Sequence, residues 1–218
     1  MSFLILEEFK QQFQELYELY EEYNSHTNLS SIREKDDVYK KHFWDSLACY
    51  ESVKNAKTLI DIGTGGGFPA LVLAIVLPKL KITAVDSVGK KIKFIEMVKD
   101  KLNLSNLTPL NARAEILAKD KAYRERFDVC TSRAVAQLNT LLELTCPFVR
   151  VGGQIIAFKK YPIAEELASS KKAAKVLGAD KPQEIIYTDD KQLLIYKKVF
   201  KTPSQYPRDS AKIKKNPL

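Results

Sequence analysis

Residues 61 to 70 read DIGTGGGFPA and place Asp61 and four glycines between two apolar runs. The β-rich run at 58–62 predicts a strand, and the run at 68–77, whose Pro69 suits a first helical turn, predicts a helix. Strand, glycine loop and helix in this order are typical of a doubly wound sheet, in which ligands bind beyond the carboxyl ends of the strands. Because glycine has no Cβ, such a loop can turn sharply and contact a ligand through its backbone.

The spacing of the glycines separates two classes of ligand. A dinucleotide-binding G-x-G-x-x-G fingerprint needs glycine at position 68, where this chain has Phe68. The pattern D-x-G-x-G-x-G is satisfied by Asp61, Gly63, Gly65 and Gly67. That pattern resembles motif I of the class I S-adenosylmethionine-dependent methyltransferases, whose loop holds the methionine end of the cofactor. The loop favours this cofactor but does not by itself exclude NAD.

Asp86 ends the next predicted strand, KITAVD at 81–86, and lies 23 residues after Gly63. At this distance its carboxylate is placed to accept hydrogen bonds from both hydroxyls of a ribose. Such charge-assisted bonds contribute roughly 1.5–3 kcal/mol each when they are desolvated. We therefore predict that Asp86 determines nucleoside affinity, in preference to a role as a simple strand-end turn residue.

Beyond the glycine loop, short β-rich runs alternate with helical ones, as in a parallel sheet with crossover helices. The further predicted strands are 107–111, 127–131, 153–158, 183–188 and 191–199. The further predicted helices are 89–103, 113–125 and 134–148. The last two strands form a hairpin that closes one sheet edge. The predicted fold is therefore α/β, a Rossmann-like, mostly parallel seven-stranded sheet with an antiparallel C-terminal hairpin.

An N-terminal helical extension is predicted before the first strand. Apolar residues at spacings of three and four predict an amphipathic helix at 3–24 and comprise Leu6, Phe9, Phe13, Leu16, Tyr20 and Tyr23. A second helix is predicted to use Asp36 or Asp37 as its cap. The apolar face of this second helix is predicted to comprise Val38, Phe43, Leu47 and Tyr50.

The 218 residues fit a single domain of ordinary size, 1–218. Within it we expect the helical extension at 1–55, a cofactor-binding core at 56–200 and a basic C-terminal arm at 201–218. Three prolines make the arm a poor helix, so an extended segment or a loop is predicted there. The net charge of +8 is concentrated at 197–218, with seven basic residues and one acidic residue. This distribution favours a polyanionic partner, although a solvated lysine-rich surface has the same composition.

Composition argues against several classes of protein. The longest apolar run, at 70–77, is far shorter than the roughly 20 residues of a membrane span. Residues 1–6 lack the basic leader of a secretory signal. Three cysteines without paired spacing and two histidines argue against disulfides and a metal site. We expect a cytoplasmic protein with no metal and no membrane partner.

Six further motifs follow one another along the chain. They read NLS at 28–30, HFWDSL at 42–47, DSVGKK at 86–91, RAE at 113–115, TSRAVA at 131–136 and KKNPL at 214–218. Together they closely resemble the bacterial 16S ribosomal RNA guanine-N7 methyltransferases, also called the glucose-inhibited division protein B family, over nearly the whole chain. The resemblance implies a class I methyltransferase fold, S-adenosyl-L-methionine as cofactor, and methyl transfer to N7 of a guanine. It also implies 16S ribosomal RNA or the small-subunit particle as partner. We expect a monomer.

The resemblance also implies a set of cofactor-binding residues. The set comprises Gly63, Gly65, Gly67, Phe68, Asp86, Ser87, Ala114, Glu115 and Arg133. Within it, the Ala114 amide is placed to bond an adenine nitrogen. Two members have structural alternatives, Glu115 as a first-turn helix carboxylate and Arg133 as a partner in a salt bridge.

Guanine N7 carries a neutral lone pair, so it attacks a sulfonium methyl without first losing a proton. Catalysis then rests on alignment, which is capable of roughly 7–11 kcal/mol in favourable cases. No general base is predicted, and Arg133 and His42 are candidates for orienting the guanine. A donor on N7 would block it, so Arg133 is expected to bind O6 or a phosphate. We predict a target pocket of Asn28, His42, Asp45 and Ser46, or alternatively a buried cluster that joins two helices.

Basic side chains are predicted to bind RNA phosphates, which gives affinity without base specificity. The set comprises Lys90, Lys91, Lys159, Lys160, Lys197, Lys198, Arg208, Lys212, Lys214 and Lys215.

Alternative functions are methylation of another RNA base and RNA binding without catalysis. Cytosine-C5 methylation needs a cysteine nucleophile, and Cys146-Pro147 resembles such a site, although its position near a helix end favours a core cysteine. Amino-group methylation would show an N/D-P-P-Y/F-like loop, which the TSRA stretch at 131–134 lacks. A noncatalytic RNA-binding protein would not need the intact glycine loop and Asp86.

Overall fold

A computed structural model describes residues 2–218, without the side chains of Ser2, Phe3 and Leu6. The strands are β1 Thr58–Ile62, β2 Lys81–Asp86, β3 Leu107–Asn111, β4 Phe127–Arg133, β5 Val149–Lys160, β6 Gln183–Thr188 and β7 Lys191–Lys197. They form one sheet in the order β3-β2-β1-β4-β5-β7-β6. β1 to β5 pair in parallel, and β7 pairs antiparallel with both β5 and β6. The carboxyl ends of the five parallel strands therefore lie at one edge of the sheet.

Eleven α-helices occur in the described part of the chain. They are α1 Ser2–Glu8, α2 Lys10–Thr27, α3 Lys35–Val38, α4 Asp45–Leu47, α5 Tyr50–Val53, α6 Ala70–Val76, α7 Gly89–Lys101, α8 Ala114–Leu117, α9 Leu138–Thr145, α10 Ala164–Leu177 and α11 Ser210–Lys215. A π-helical segment, Tyr39–Trp44, joins α3 to α4, and a 3₁₀ turn, Cys146–Phe148, precedes β5. The wider π-type turns lie in the segment that carries His42.

The predicted seven-stranded, mostly parallel sheet with an antiparallel hairpin is confirmed. Other predictions were wrong. The helix predicted at 113–125 is only the four-residue α8, and α10 was not predicted. α3 begins at Lys35 with Glu34 as its N-cap, so Asp36 and Asp37 lie in the first turn. The arm contains α11, because its prolines at 207 and 217 flank that helix instead of interrupting it.

The N-terminal helices pack against the loop and helices that follow β1 and β2. Phe13, Leu16 and Tyr20 in α2 are almost fully buried, and the Tyr20 ring lies 6.0 Å from Phe68 and 6.2 Å from Phe94 between ring centroids. Burying a large apolar side chain contributes roughly 1.5–3 kcal/mol. The predicted contribution of Leu6 to this face lies outside the described side chains. α2 is thus fixed against the glycine loop at the edge where the parallel strands end.

Candidate active site

Two adjoining cavities open at the edge of the sheet where the parallel strands end. The larger cavity, of about 380 Å³, is lined by residues that follow β2 and β3 and by two residues of α11. The smaller cavity, of about 200 Å³, is lined by residues of the glycine loop, the N-terminal helices and the end of β4. Gly63, Lys91 and Ala134 line both cavities. These three residues form the shared wall.

The glycine loop, residues 63–67, borders both cavities. Gly63 and Gly65 adopt positive φ values of 69° and 60°, which side chains rarely allow. A Cβ at Gly63 would come within 2.4 Å of the Val135 side chain, whereas a Cβ at Gly65 would meet no atom closer than 4.0 Å. Gly67 is buried, and a Cβ there would lie 2.4 Å from Leu71. Packing thus excludes side chains at 63 and 67, and Gly65 leaves open space for a ligand.

Asp86 lies at the carboxyl end of β2 and lines the larger cavity. Its Oδ2 accepts a hydrogen bond from the Gly65 amide, and its Oδ1 accepts one from the Val88 amide, each at 2.9 Å. A carboxylate oxygen can accept two hydrogen bonds, so each retains capacity for a further donor. The carboxylate is therefore held by the backbone in a position that suits the two hydroxyls of a ribose.

The residues predicted to bind the nucleoside converge on the larger cavity. Ser87 follows Asp86, and Ala114 and Glu115 begin α8 directly after β3. Phe68 and Arg133 were predicted to belong to the same set, but they line only the smaller cavity. The structure therefore divides the predicted cofactor residues between two adjoining spaces.

Asp61 is fully buried beneath the glycine loop and lines neither cavity. Its Oδ1 accepts a hydrogen bond from the Thr131 hydroxyl of β4 at 2.8 Å. Burial raises the pKa of Asp61 to about 6, because the surrounding protein disfavours the charged form. Asp61 therefore joins β1 to β4 below the site.

A stacked pair of rings forms one side of the smaller cavity. His42 and Phe68 lie with ring centroids 4.5 Å apart and ring planes 4° from parallel. The Arg133 guanidinium carbon lies 5.8 Å from the centre of the Phe68 ring, within cation–π range. Tyr20 and Ser30 complete this side of the cavity.

Arg133 is held by three hydrogen bonds to the N-terminal segment. Nη1 donates to the Lys41 carbonyl and to Asp45 Oδ2, both at 2.9 Å, and Nη2 lies 3.1 Å from His42 Nδ1. A guanidinium has five N–H donors, so one on Nη2 and the one on Nε remain. The predicted salt-bridge alternative for Arg133 is present, and the same side chain also lines the smaller cavity.

His42 is buried and uncharged. Burial lowers its pKa to about 3, and the positive charge of Arg133 acts in the same direction. Because Nδ1 faces a guanidinium donor, the ring proton belongs on Nε2, which lies 3.4 Å from the Tyr20 hydroxyl oxygen. His42 is thus a neutral ring at the wall of the smaller cavity, and its Nε2–H faces the hydroxyls of Tyr20 and Ser30.

Asp45, which was predicted to contact RNA, lines neither cavity. It is buried, and besides the bond from Arg133 its Oδ1 accepts bonds from Tyr187 and Lys191, each at 2.8 Å. Burial alone would raise its pKa, but the Lys191 hydrogen bond and the Arg133 charge outweigh this, and the pKa lies below its ordinary value. Asp45 therefore links the C-terminal hairpin to Arg133.

Two other predicted target-pocket residues also lie outside the cavities. Ser46 is fully buried and donates to the carbonyl of His42, one helical turn earlier, at 2.6 Å. Asn28 ends α2 in the left-handed conformation, and its side chain accepts a hydrogen bond from Arg33. Of the predicted target pocket, only His42 lines the smaller cavity.

Two lysines that were predicted to contact phosphates are not on the surface around the cavities. Lys198 is fully buried, and its ammonium donates to the Cys146 carbonyl at 2.8 Å. Lys197 is exposed. In the sheet it lies opposite Gln154, which in turn lies opposite Val129 near the start of β4, so Lys197 is at the opposite end of the sheet from the cavities. The Cys146 thiol is also fully buried, and burial raises its pKa to about 12, which confirms it as a core cysteine.

Two further predicted phosphate contacts are engaged within the protein. Lys159 donates to the Ala136 carbonyl at 2.7 Å and to Glu166 at 2.5 Å. Arg208 donates to both carboxylate oxygens of the buried Glu143, at 2.8 and 2.6 Å. Neither side chain is free to reach a phosphate while these bonds persist. Lys90 is exposed, but its ammonium donates to the Thr27 carbonyl at 2.9 Å, and the half-buried Lys91 lies 3.8 Å from Asp86. The other predicted basic residues on the surface are Lys160, Lys212, Lys214 and Lys215.

Sequence analysis missed several residues of the site. Tyr20 and Ser30 line the smaller cavity, Ser210 lines the larger one, and Tyr187 and Lys191 bind Asp45. The amphipathic pattern identified Tyr20 only as a core residue. The contacts of Tyr187 and Lys191 with Asp45 join positions more than 140 residues apart, and no local pattern reports such a contact.

Across residues 2–218, no cluster of three or more histidine, cysteine, aspartate or glutamate side chains is arranged to hold a metal ion. Within the same range, no helix is long and apolar enough to span a membrane.

Comparison with known proteins identifies relatives along almost the whole chain. The family model described as rRNA small subunit methyltransferase G matches residues 9–194. A ribosomal RNA small subunit methyltransferase G from Leuconostoc mesenteroides is 43% identical over 216 residues, which cover 95% of this chain and 90% of the relative. A protein of the same name from Streptococcus thermophilus is 40% identical, with 100% and 95% covered.

Solved structures with lower sequence identity share the fold. A SAM dependent methyltransferase from Aquifex aeolicus has a TM-score of 0.61 and 16% identity, over 79% of this chain and 98% of that one. A variant of a 16S rRNA (adenine(1408)-N(1))-methyltransferase from Catenulisporales acidiphilia has a TM-score of 0.55 and 16% identity, over 72% and 91%. These neighbours show a class I methyltransferase fold. With its family match and its relatives above 40% identity, the chain belongs to the rRNA small subunit methyltransferase G family.

Proposed function

We propose that the protein transfers a methyl group from S-adenosylmethionine to N7 of a guanine in 16S ribosomal RNA. One observation supports this acceptor above others. Among the described residues that line the smaller cavity, none is a carboxylate or a cysteine, and the polar side chains there are donors such as Arg133, His42 and Lys91. A ring nitrogen with a free lone pair needs no base, whereas an exocyclic amino group must lose a proton and cytosine C5 requires a thiol nucleophile.

The larger cavity suits the adenosine half of this cofactor. Asp86 offers one acceptor oxygen to each ribose hydroxyl, and Ala114 places a helix-start amide beside it. Gly65 leaves the loop open toward the smaller cavity, where the methionine end would lie. When it is bound, S-adenosylmethionine supplies a methyl group activated by its positively charged sulfur.

The smaller cavity would orient the guanine. Arg133 keeps two N–H donors that are not used by Asp45, Lys41 or His42, and O6 of guanine or a phosphate is a matching acceptor. The neutral His42 ring, stacked on Phe68, adds a flat wall against which the guanine can be oriented without adding charge. Alignment of the guanine by these groups would supply the catalytic effect that a base supplies in other reactions.

The proposed partner is 16S ribosomal RNA, alone or in the small-subunit particle, bound by a monomer in the cytoplasm. The site is bordered by exposed lysines that include Lys90 and Lys160. In this proposal, residues 56–200 form the cofactor-binding core, residues 1–55 form one wall of the acceptor site, and the arm at 201–218 adds basic side chains.

The deciding experiment incubates the protein with methyl-labelled S-adenosylmethionine and unmodified small-subunit RNA or particles, and then identifies the labelled nucleoside after digestion. We expect 7-methylguanosine. Label in 5-methylcytidine or in a methylated adenosine would contradict the proposal. The absence of label from every substrate, despite measurable cofactor binding, would favour an RNA-binding protein without catalysis.

A further inference from the structure

The helix of the C-terminal arm presents two different faces. Ser210 and Lys214 of α11 line the larger cavity. They are four residues apart and therefore lie on the same face of the helix. Ile213, beside them, is 1% exposed, whereas Lys212, Lys214 and Lys215 are all exposed to solvent. Of these three lysines, only Lys214 also lines the larger cavity.

Buried contacts fix the arm in this position. Arg208 makes a two-pronged ion pair with the fully buried carboxylate of Glu143, which gives a defined orientation as well as attraction. Arg124 donates to the backbone carbonyls of Thr202 and Tyr206, each at 2.9 Å. The segment that leads into α11 is therefore anchored on both sides of Pro203, and α11 forms part of the cavity wall.

We propose that Lys214, assisted by Ser210, binds the adenosine half of the cofactor instead of RNA. An ammonium group has three donors and no acceptor, so its ligand must offer an acceptor atom. Asp86 and Glu115 in the same cavity offer acceptors, which suit the ribose hydroxyls and the adenine amino group. Lys214 and Ser210 add the donors that the ring nitrogens and the ribose oxygens require.

Position assigns Lys214 to the adenosine half and not to the methionine half. A lysine could equally pair with the carboxylate of the methionine half, so the assignment rests on which cavity Lys214 lines. Lys214 lines only the larger cavity, together with Asp86, Ala114 and Glu115, and not the smaller cavity, where the methionine end is proposed to lie. The inference rests on the proposed function only through the identity of the cofactor.

The test compares two variants of one helix, Lys214→Met and Lys212→Met, in the full-length protein. Methionine keeps most of the apolar stem and removes the charge. Calorimetric titration without RNA is carried out with S-adenosylmethionine and with 5′-methylthioadenosine, which share the adenosine, whereas the second ligand lacks the amino-acid end and the charge on sulfur. We expect Lys214→Met to raise the Kd of both ligands roughly three- to tenfold and Lys212→Met to leave both unchanged.

An unchanged Kd in Lys214→Met would overturn the proposal, and so would a change for S-adenosylmethionine alone, which would place the ammonium at the methionine end of the cofactor. The melting temperature of each variant is measured in parallel, and only variants that melt like the parent protein are compared. If the parent protein binds neither ligand, the proposed function itself fails, and this result is distinct from failure of the Lys214 assignment.

The salt dependence of RNA binding provides an independent readout. Lys212→Met should make the negative slope of log affinity against log salt shallower by roughly 0.7 if it removes one contact to single-stranded RNA. Lys214→Met should leave that slope unchanged. A reduced slope in Lys214→Met with normal cofactor affinity would return Lys214 to the RNA-binding set.

Discussion

At the scale of single residues, Asp86 combines two tasks. It accepts hydrogen bonds from the Gly65 and Val88 amides and keeps acceptor capacity for a ligand. Asp86→Asn would replace one oxygen by an NH₂ group that faces an amide N–H or the ligand hydroxyl. Since each charge-assisted bond is worth roughly 1.5–3 kcal/mol, we expect the Kd for S-adenosylmethionine to rise at least about tenfold.

Titration calorimetry measures this change, and Asp100→Asn, an exposed carboxylate near the end of α7, is the matched control. RNA affinity, measured by filter binding, should remain close to that of the parent protein in both variants. Equal loss of cofactor and RNA affinity in Asp86→Asn would show that the substitution damages the fold instead of the ribose contact.

His42 makes stability depend on pH. Its pKa is about 3 in the folded protein and about 6.5 when unperturbed, so the unfolded chain binds more protons between these values. Its contribution to stability is present above pH 6.5 and is lost as the pH falls. Asp61, whose pKa is raised to about 6, acts in the opposite direction because its folded form binds the extra proton. The wild-type curve alone therefore conceals both effects.

A comparison with His42→Asn isolates the histidine term. From pH 6.5 to 5, the wild type should lose roughly 2 kcal/mol relative to the variant, as measured by urea unfolding at each pH. The exposed His26 is present in both proteins and cancels. A constant difference between the two proteins across this range would show that His42 takes up its proton in the folded protein as readily as in the unfolded chain.

At the scale of elements, the parts of the fold with strong local patterns were predictable from the sequence. β1, β2 and β3 begin and end where the apolar runs and the loop residues predicted. α10 was missed because its buried positions include Ser170, Ala173 and Ala174, which give little hydrophobic contrast. α11 was missed because proline content was averaged over the arm, although Pro207 and Pro217 only flank the helix.

The candidate site was predictable to the extent that it follows strand ends. Asp86, Ala114 and Arg133 each lie at or just after the end of a parallel strand, so topology places them at one edge. The state of each basic side chain was not predictable, because Lys159 and Lys198 donate to the carbonyls of Ala136 and Cys146, which are 23 and 52 residues away in sequence. A count of lysines cannot distinguish a phosphate contact from an internal donor.

At the scale of the whole molecule, the surface lysines are divided between two ends of the sheet. Lys160 lies at the end where the cavities open, and Lys197 lies at the other. If about five lysines at the cavity end neutralise phosphates of single-stranded RNA, log affinity should fall with log salt at a slope of roughly −3.5.

Filter binding over a range of salt concentrations tests this distribution of charge. Lys160→Met should make the negative slope shallower by roughly 0.7, and Lys197→Met should not change it. A slope near zero in the parent protein would contradict electrostatic binding of RNA, and an effect of Lys197→Met alone would place the RNA at the opposite end of the sheet.

The shared wall of Gly63, Lys91 and Ala134 has a consequence for inhibitor chemistry. Since the two cavities meet along this wall, a single compound that joins an adenosine to a guanine-like ring can occupy both. The adenosine part would bind any enzyme that carries the same glycine loop. Selectivity would come from the second ring, which must fit against the stacked His42 and Phe68 and present an acceptor to Arg133.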